Sequence, residues 1–303
     1  MKSRCVKLVL AYDGTDFAGW QRQKDCRSVQ EELETALGKM HGHEVVVIGA
    51  GRTDSGVHAR GQVAHFHSDI ASIPADRFKL ALNKLLPKDV RILVSEEMQY
   101  GFHARFDARF RRYKYFIRPG DLPLPFEDRY AWRVFHYPDV ARLNAMASCL
   151  AGELDCTSFA SAKDASPHKY RYLYHACFYY EGSALVFDIA ANAFLWRMVR
   201  SIVGTLMELD KNHADPEEFR AILAGANREL AGTTAPAHGL FLWHVGYYSG
   251  KAAARRPGEN STGNDCGGPN GTVQAAPGMR DGNALDLNKG NKRLVPGLGY
   301  IDE

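Results

Sequence analysis

The sequence predicts an α+β fold, because segments with the two-residue period of a strand are interspersed with segments of helical period. Val6, Leu8 and Leu10 occupy alternate positions near the start, which indicates a strand that is buried mainly on one face. Ser28 and Glu31 then have the spacing of a capping box, and the apolar residues after them repeat at helical intervals. A strand followed by an amphipathic helix is therefore the first unit of the mixture.

The following segments continue this mixture. Residues 44–49 contain a β-branched run and predict a second strand, and residues 61–67 alternate again and predict a third. A helix is expected over 75–86, because Pro87 cannot continue it. Residues 90–94 supply one more strand, so the first part of the chain already contains both element types.

Strands and helices also follow one another in the second part of the chain. The segment 111–118 is strand-like, with Tyr113 and Tyr115 on one face. The remaining predicted elements are a helix over 138–151, a hairpin of 172–180 and 185–190, a long helix over roughly 193–210 capped by Asn192, and a helix that starts at Asp215. The turn Glu181-Gly182-Ser183 supports the hairpin, and Asp-Pro suits the cap and the first position of a helix.

Length, charge and cysteine content bound the class of protein. The 303 residues allow about two domains or one large one, and a net charge of +3 is a weak global signal for an anionic partner. The six cysteines contain no C-x-x-C pair, so neither a zinc knuckle nor a redox dithiol is indicated. No apolar run is long enough to span a bilayer and no signal peptide precedes the first strand, so a cytoplasmic protein with free thiols is expected.

The segment 250–303 differs in composition from the rest of the chain. Gly, Asn and Pro recur in it, and Tyr300 is its only aromatic residue. Such a segment buries too little apolar surface to offset the entropy that is lost on ordering. The sequence therefore predicts a disordered extension after a folded part that ends near residue 249.

The most informative feature is the glycine-rich stretch Gly49–Ala59, which contains Arg52 and Asp54. Glycines permit positive φ and let a substrate approach the backbone closely. An arginine two residues before an aspartate can orient that carboxylate, and a fixed carboxylate without a second one beside it suggests a nucleophile. From the residues alone, an Arg–Asp pair at the surface is the competing interpretation, and for a lone R-x-D it is the commoner one.

The stretch resembles the catalytic motif G-R-T-D-x-G-V-H of TruA-type tRNA pseudouridine synthases. Other blocks similar to this family occur in the family's order over roughly residues 5–248: Tyr12–Gly14, Gly19–Gln23, Gly61–Phe66, Phe102–Phe106, Arg112–Tyr115, Asn192–Phe194, Met198–Arg200, and Thr234–Pro236 with Gly239-Leu240. Several independent motifs in one order make the resemblance specific.

The resemblance implies an enzyme that isomerises uridine to pseudouridine at tRNA positions 38, 39 and 40, in the anticodon stem-loop, without a cofactor or metal. It also implies two similar halves, 1–104 and 105–249, which share one antiparallel-rich sheet with the active cleft between them. A homodimer that binds tRNA across both subunits is a further implication. The alternatives are a synthase that acts on other RNA uridines and a catalytically inert RNA-binding or tRNA-chaperone module.

The resemblance also implies roles for single residues. Asp54 matches the family's nucleophile, and attack on the uracil ring, attack on the sugar and a glycal route all remain open. Arg200 matches an arginine that forms a salt bridge with that aspartate, and Arg52 matches one that contacts RNA beside the flipped nucleotide. Tyr113 matches the active-site tyrosine, whose ring is suited to stack on uracil and whose hydroxyl is suited to proton removal from carbon.

A basic stretch over 105–118 supplies the candidate RNA contacts Arg105 and Arg112. It holds six basic residues against one acidic residue and interleaves them with aromatic residues, a combination that suits phosphate contact and base stacking. Arg109 and Arg111 are expected to contact phosphates as well. The alternative is a solvated edge strand whose charges prevent it from pairing with another chain. The neighbouring motif with Asp54 favours RNA contact.

Two further features concern histidines and a missing charge. His58, His65 and His67 have no zinc-ligand spacing and are expected to be structural or to face RNA.

After Phe159 the chain lacks an arginine that many members of the similar family carry. The candidates to replace its charge are Lys163, Lys169 and Arg171.

Overall fold

The computed structural model of the protein describes residues 3–247. Its strands are β1 (Arg4–Tyr12), β2 (Ile48–Gly49), β3 (His58–Ser68), β4 (Val90–Met98), β5 (Phe110–Pro119), β6 (Trp132–Val134), β7 (Gly152–Asp155), β8 (Tyr170–Glu181), β9 (Ala184–Ala191) and β10 (Leu240–Gly246). Its α-helices are α1 (Val29–His41), α2 (Phe78–Leu85), α3 (Val140–Ala147), α4 (Met198–Lys211) and α5 (Pro216–Ala224). The predicted extension, 250–303, lies outside the described residues.

The strands form one mixed, largely antiparallel sheet in the order β4-β1-β3-β10-β5-β9-β8-β7, with β2 on β3 and β6 on β5. β10 pairs in parallel with β3 and antiparallel with β5, and so joins the strands of the first part of the chain to those of the second. The predicted α+β class with a continuous, antiparallel-rich sheet is confirmed. The domain boundary between residues 104 and 105 stays a prediction.

The five α-helices of the described range pack on one face of the sheet. α1 and α4 both supply residues to the same cleft, α2 contacts α1, and α3 and α5 contact α4. The apolar core lies between these helices and the sheet. On β5, Tyr113 and Tyr115 are buried toward the helices, whereas Phe116 lines a pocket on the opposite face.

The strand predicted over 44–49 is reduced to the two residues of β2. The N–H of Val47 donates to Glu34 Oε1 (3.1 Å), and its carbonyl accepts from Gln30 Nε2 (3.1 Å). These two side chains of α1 therefore take the place of a neighbouring strand. The prediction is wrong for residues 44–47, although Val45 and Val47 are buried as strand residues would be.

The helix predicted over 193–210 begins only at Met198, so the prediction is wrong at its N-terminal end. Asn192 does not cap it. Instead, Asn192 Oδ1 accepts the N–H groups of Tyr172 (3.1 Å) and Ala193 (2.8 Å), which ties the chain to β8. Arg197 precedes the helix in the left-handed conformation, with φ 62°. Residues 193–197 therefore form a loop at the cleft.

The other predicted elements lie close to their expected positions. Ser28 caps α1, and Asp215 and Glu218 form a complete capping box at α5. The helix predicted over 138–151 is shorter, because Asp139 caps it with hydrogen bonds to two backbone N–H groups and β7 begins at Gly152. No helix within residues 3–247 has the length and apolar character needed to cross a membrane.

Candidate active site

A cleft of about 1020 Å³ opens on the helical face of the sheet. Its walls come from segments that are distant in sequence, which are residues 46–57, residues 105–113, residues 163–167 and residues 193–200. The first segment belongs to the N-terminal part of the sheet and the others follow β4. The glycine-rich stretch is therefore brought together with the second part of the chain.

The backbone that carries Asp54 is fixed by the segment before α1. Trp20 N–H donates to the Thr53 carbonyl (3.1 Å), and the buried Tyr12 hydroxyl lies 2.8 Å from Thr53 Oγ1. Gly19 has φ 110°, and a Cβ at this position would lie 2.5 Å from the Thr53 carbonyl oxygen. Only glycine fits such a position without displacing the backbone, so the Gly19-Trp20 block packs directly against the motif.

Asp54 lies in the cleft with both carboxylate oxygens engaged. Oδ2 accepts a hydrogen bond from Arg200 Nη1 at 3.2 Å, and Oδ1 accepts one from Trp196 Nε1 at 2.8 Å. The Asp54 side chain is 21% exposed, so a substrate in the cleft can reach it. A carboxylate that is held in one orientation and is open on one side is suited to act as a nucleophile.

Arg200 is anchored by the backbone that leads to β10. Its Nε donates to the Ala235 carbonyl (2.8 Å), and its own carbonyl accepts the Ala235 N–H (3.0 Å). The Arg200 side chain is only 15% exposed, and its partner carboxylate is that of Asp54. A charge in an apolar helix is rarely buried without a partner, and here the structure brings the predicted pair together.

Trp196 is a site residue that the sequence did not reveal. It lies in the loop 193–197, for which the sequence predicts the first turn of a helix, and the residue is 39% exposed. The only signal in the sequence is an aromatic residue between the blocks Asn192–Phe194 and Met198–Arg200. The late start of α4 is what allows its indole to reach Asp54.

Tyr113 projects from β5 into the cleft. It is 7% exposed, and its ring packs edge-on against Phe194 with 5.1 Å between the ring centroids. Burial is the main cause that raises the pKa of Tyr113 well above its ordinary range, and the neighbouring Tyr12 and Asp54 add to it. The hydroxyl therefore stays protonated at neutral pH.

Exposed basic side chains line the same cleft as Asp54. The cleft is lined by Arg52 and Arg105, which were both predicted, and by Lys163 and Arg197. Clustered positive charge at a concave surface raises the local concentration of an anionic ligand. These side chains are therefore suited to contact phosphates.

The structure distinguishes the three candidates for the missing charge after Phe159. Lys169 Nζ is bound to the Asp164 carboxylate at 2.7 Å, and Arg171 is buried and donates to nearby backbone carbonyls. Lys163 is exposed and lines the cleft. Of these three residues, Lys163 is the one placed to meet a ligand.

Arg111 lines the cleft, but its guanidinium is bound to the backbone of the cleft wall, which favours a structural role over the expected phosphate contact. Its Nη1 donates to the carbonyls of Ala108 (3.1 Å) and Asn192 (2.8 Å), and its Nη2 donates to those of Ala50 (2.9 Å) and Arg105 (2.7 Å). Burial lowers the pKa of Arg111. The side chain holds three segments of the cleft wall together.

The structure does not bring Arg112 into the cleft. Alternate side chains of a strand point to opposite faces, and Tyr113 takes the cleft face of β5. Arg112 lies on the other face, where its Nε and Nη2 donate to Asp188 at 2.8 and 2.5 Å. His175 and Tyr179 complete the hydrogen bonds to the same buried carboxylate. Arg112 therefore lies outside the cleft, and its contact with RNA stays a prediction.

Comparison with known proteins decides the family. A family model described as tRNA pseudouridine synthase matches residues 8–107 and 146–248. A protein named tRNA pseudouridine synthase A from Treponema denticola is 50% identical over 247 residues, which cover 80% of this chain and 92% of that protein. The chain belongs to the TruA-type tRNA pseudouridine synthases. A second relative with the same name, from Brevibacillus brevis, is 45% identical over 80% of this chain and 99% of its own length.

Pseudouridine synthases are isomerases that convert uridine to pseudouridine, and this TruA-type chain is an enzyme of that class. Among solved structures, one titled as a Cbf5-Nop10-Gar1 complex aligns over 66% of this chain and 53% of that one, so this chain spans about half of its length. The sequence identity is 13% and the TM-score 0.28, which is too weak for any conclusion about function.

Two histidines of this TruA-type chain are acceptors for backbone N–H groups. His58 Nδ1 accepts from Gly14 at 2.9 Å, and His65 Nδ1 accepts from Ala104 at 3.1 Å. Burial lowers the pKa of both rings, to about 4 for His65. Within the described residues, no cluster of three potential metal ligands occurs. His58 and His65 therefore have structural roles, and His67 is exposed.

Proposed function

We propose that the chain isomerises uridine to pseudouridine at positions 38, 39 and 40 of tRNA, in the anticodon stem-loop, with Asp54 as the nucleophile. The observation that carries the proposal is the Asp54 carboxylate, oriented by Arg200 and Trp196 in a cleft lined with exposed cations. The choice of tRNA, and of these positions, rests on the family. A tRNA substrate also makes the cytoplasm the location that we propose.

The reaction requires no external atoms or electrons. The bond between N1 of the uracil and C1′ of the ribose breaks, the base turns over, and C5 forms the new bond to C1′. C5 loses its proton, and N1 gains one. Attack of Asp54 on the ring, attack on the sugar and assistance of a glycal route each need a fixed carboxylate beside the nucleoside, and each regenerates that carboxylate.

Tyr113 is the proposed partner of the uracil ring. Its position in the lining of the cleft suits stacking on a base that has been extruded from the RNA. Because burial raises its pKa, its hydroxyl is protonated before reaction. A protonated hydroxyl accepts the C5 proton only if it passes its own proton on, so the role that we assign to it is a proton relay rather than a free base.

The exposed basic residues that line the cleft are the proposed phosphate contacts. They are Arg52, Arg105, Lys163 and Arg197, which are all exposed. Extrusion of a base costs a few kcal/mol of unstacking, and contacts to the flanking phosphates help to offset this cost. Arg52, two residues from Asp54, is the cation that we place next to the flipped nucleotide.

We also propose that the enzyme is a homodimer. Among the described residues, no helix covers the sheet face opposite the cleft, where Tyr170, Tyr172 and Tyr174 are each about half exposed. A pocket of about 660 Å³ on this face is lined by equal numbers of basic and acidic residues, namely Arg60, Lys88, Arg91 and Arg118, and Asp13, Asp89, Glu127 and Glu181. A surface with balanced charges can meet its own copy across a two-fold axis.

The function is tested with purified protein and a tRNA transcript that has uridine at positions 38, 39 and 40. Mapping of pseudouridine before and after incubation should show product at these positions, and transcripts with cytidine at each position should lose the corresponding product. Product at other uridines would contradict the proposed positions. Binding without product would favour the inert module. The homodimer is tested by light scattering, in which the parent protein should have the mass of a dimer and the double variant Tyr172→Arg, Tyr174→Arg should have the mass of a monomer. A parent protein with the mass of a monomer would refute the homodimer, and a variant that keeps the dimer mass would refute this interface.

A further inference from the structure

Trp196 connects the nucleophile to a loop that lies far from it in sequence. Its indole Nε1 donates to Asp54 Oδ1 at 2.8 Å. Its backbone is fixed on the other side, because its N–H donates to Asp164 Oδ2 at 2.6 Å and its carbonyl accepts from Ser161 N at 3.0 Å. The side chain that touches the nucleophile is thus held by the segment 161–169.

Asp164 is itself fixed as a charged group. Its Oδ1 accepts from Lys169 Nζ at 2.7 Å and from Ser166 N–H at 2.9 Å, and its side chain is only 5% exposed. These hydrogen bonds outweigh burial and hold the pKa of Asp164 well below its usual range. The carboxylate that anchors the Trp196 backbone therefore remains ionised at neutral pH.

The backbone conformation after Trp196 supports a role of this loop in placing the indole. Arg197 has φ 62°, a left-handed conformation that is unfavourable for a residue with a Cβ. Such strain persists only where the surrounding contacts impose it. Here the turn ends the loop 193–197 and starts α4, which carries Arg200 to the other oxygen of Asp54.

We propose that Trp196 is a positioning residue for Asp54, and that Asp164 acts on the reaction through Trp196. The proposal rests on the nucleophilic role of Asp54. A donor on each carboxylate oxygen prevents rotation of the group, so the attacking oxygen is aligned before the substrate arrives. Charge-assisted hydrogen bonds of this kind contribute more than neutral ones.

The test uses Trp196→Phe, which keeps an aromatic ring and removes the N–H donor. The single-turnover rate of pseudouridine formation on the tRNA transcript should fall about 10- to 100-fold, the range expected for a hydrogen bond to a charged group. The Kd for tRNA should change by less than about threefold, because the ring surface is retained. Trp132→Phe, a conservative change on β6 away from the cleft, is the matched control and should react at the parent rate.

A double-mutant cycle tests the connection to Asp164. Asp164→Ala should slow the parent enzyme, and it should have little further effect in the Trp196→Phe background, because both changes remove the same restraint. Additive effects would show that Asp164 does not act through Trp196. A parental rate for Trp196→Phe, or a loss confined to tRNA binding, would overturn the positioning role. An inactive parent enzyme would instead refute the proposed function itself, so the two failures are distinguishable.

Discussion

The buried His65 should make the enzyme sensitive to mild acid. Burial, with the charges of His103 and His67, lowers the pKa of His65 from 6.5 to about 4, so the folded protein keeps the ring neutral while the unfolded chain takes up a proton near 6.5. Protonation would also remove the lone pair on Nδ1 that accepts the Ala104 N–H at 3.1 Å. Stability from this residue is therefore complete above about pH 7 and is lost as the pH falls toward 4.

The size of the effect follows from the two pKa values. At about 1.36 kcal/mol for each pH unit between them, the complete loss of unfolding free energy is about 3 kcal/mol, of which about 2 kcal/mol is lost between pH 7 and pH 5. His58, His238 and His244 also have a lowered pKa because of burial, so they add to the loss in the same direction.

Urea denaturation at pH 5, 6, 7 and 8, followed by circular dichroism, measures this dependence. His65→Asn keeps an acceptor for the Ala104 N–H and removes the titration, so the variant should lose about 2 kcal/mol less than the parent between pH 7 and pH 5. His168→Asn replaces an exposed histidine and should behave like the parent. The reasoning is refuted if His65→Asn shows the full pH dependence of the parent.

Three other predictions concern the cleft. Tyr113→Phe should keep tRNA binding and lower turnover by roughly 100-fold or more in a single-turnover assay, as expected for a lost proton relay; parental turnover would exclude that role. Arg111→Gln should lower the unfolding free energy in urea by roughly 2 kcal/mol and leave the salt dependence of tRNA binding unchanged. Arg52→Gln should instead lower the slope of log K for tRNA binding against log salt concentration by about 0.7–0.9. A lower slope for Arg111→Gln with an unchanged slope for Arg52→Gln would contradict the structural role of Arg111 and the phosphate contact of Arg52. Gly19→Ala should lower both the melting temperature and the turnover, because its Cβ would displace the Thr53 carbonyl next to Asp54. Parental values of both would show that this carbonyl moves at little cost.

The sequence predicted the sheet and the pairing of Asp54 with Arg200 because these follow from periodicity and from family motifs. It misplaced the start of α4, because residues 193–197 have helical composition and are held in a loop by partners distant in sequence, such as Asp164. The strand predicted at 44–47 is absent for a similar reason, since the side chains of Gln30 and Glu34 bind the Val47 backbone in place of a neighbouring strand.

The basic stretch 105–118 shows another limit of sequence patterns. Charge density alone does not indicate which face of a strand is open or which cation is already bound. Arg112 points away from the cleft to Asp188, and Arg111 is taken up by four backbone carbonyls. Arg105 and Lys163 are instead exposed side chains that line the cleft. Such assignments depend on tertiary contacts that periodicity does not contain.

The central claim is that Asp54 is the nucleophile, and Asp54→Asn tests it most directly. Asparagine keeps the size and the hydrogen-bond acceptor of the side chain but removes its negative charge, so tRNA should still bind while product formation falls by several orders of magnitude. Asp16→Asn, which changes an exposed carboxylate in the segment before α1, is the matched control and should react at the parental rate. The measurement is pseudouridine formed per enzyme in a single turnover at saturating protein, and substantial turnover by Asp54→Asn would contradict the account.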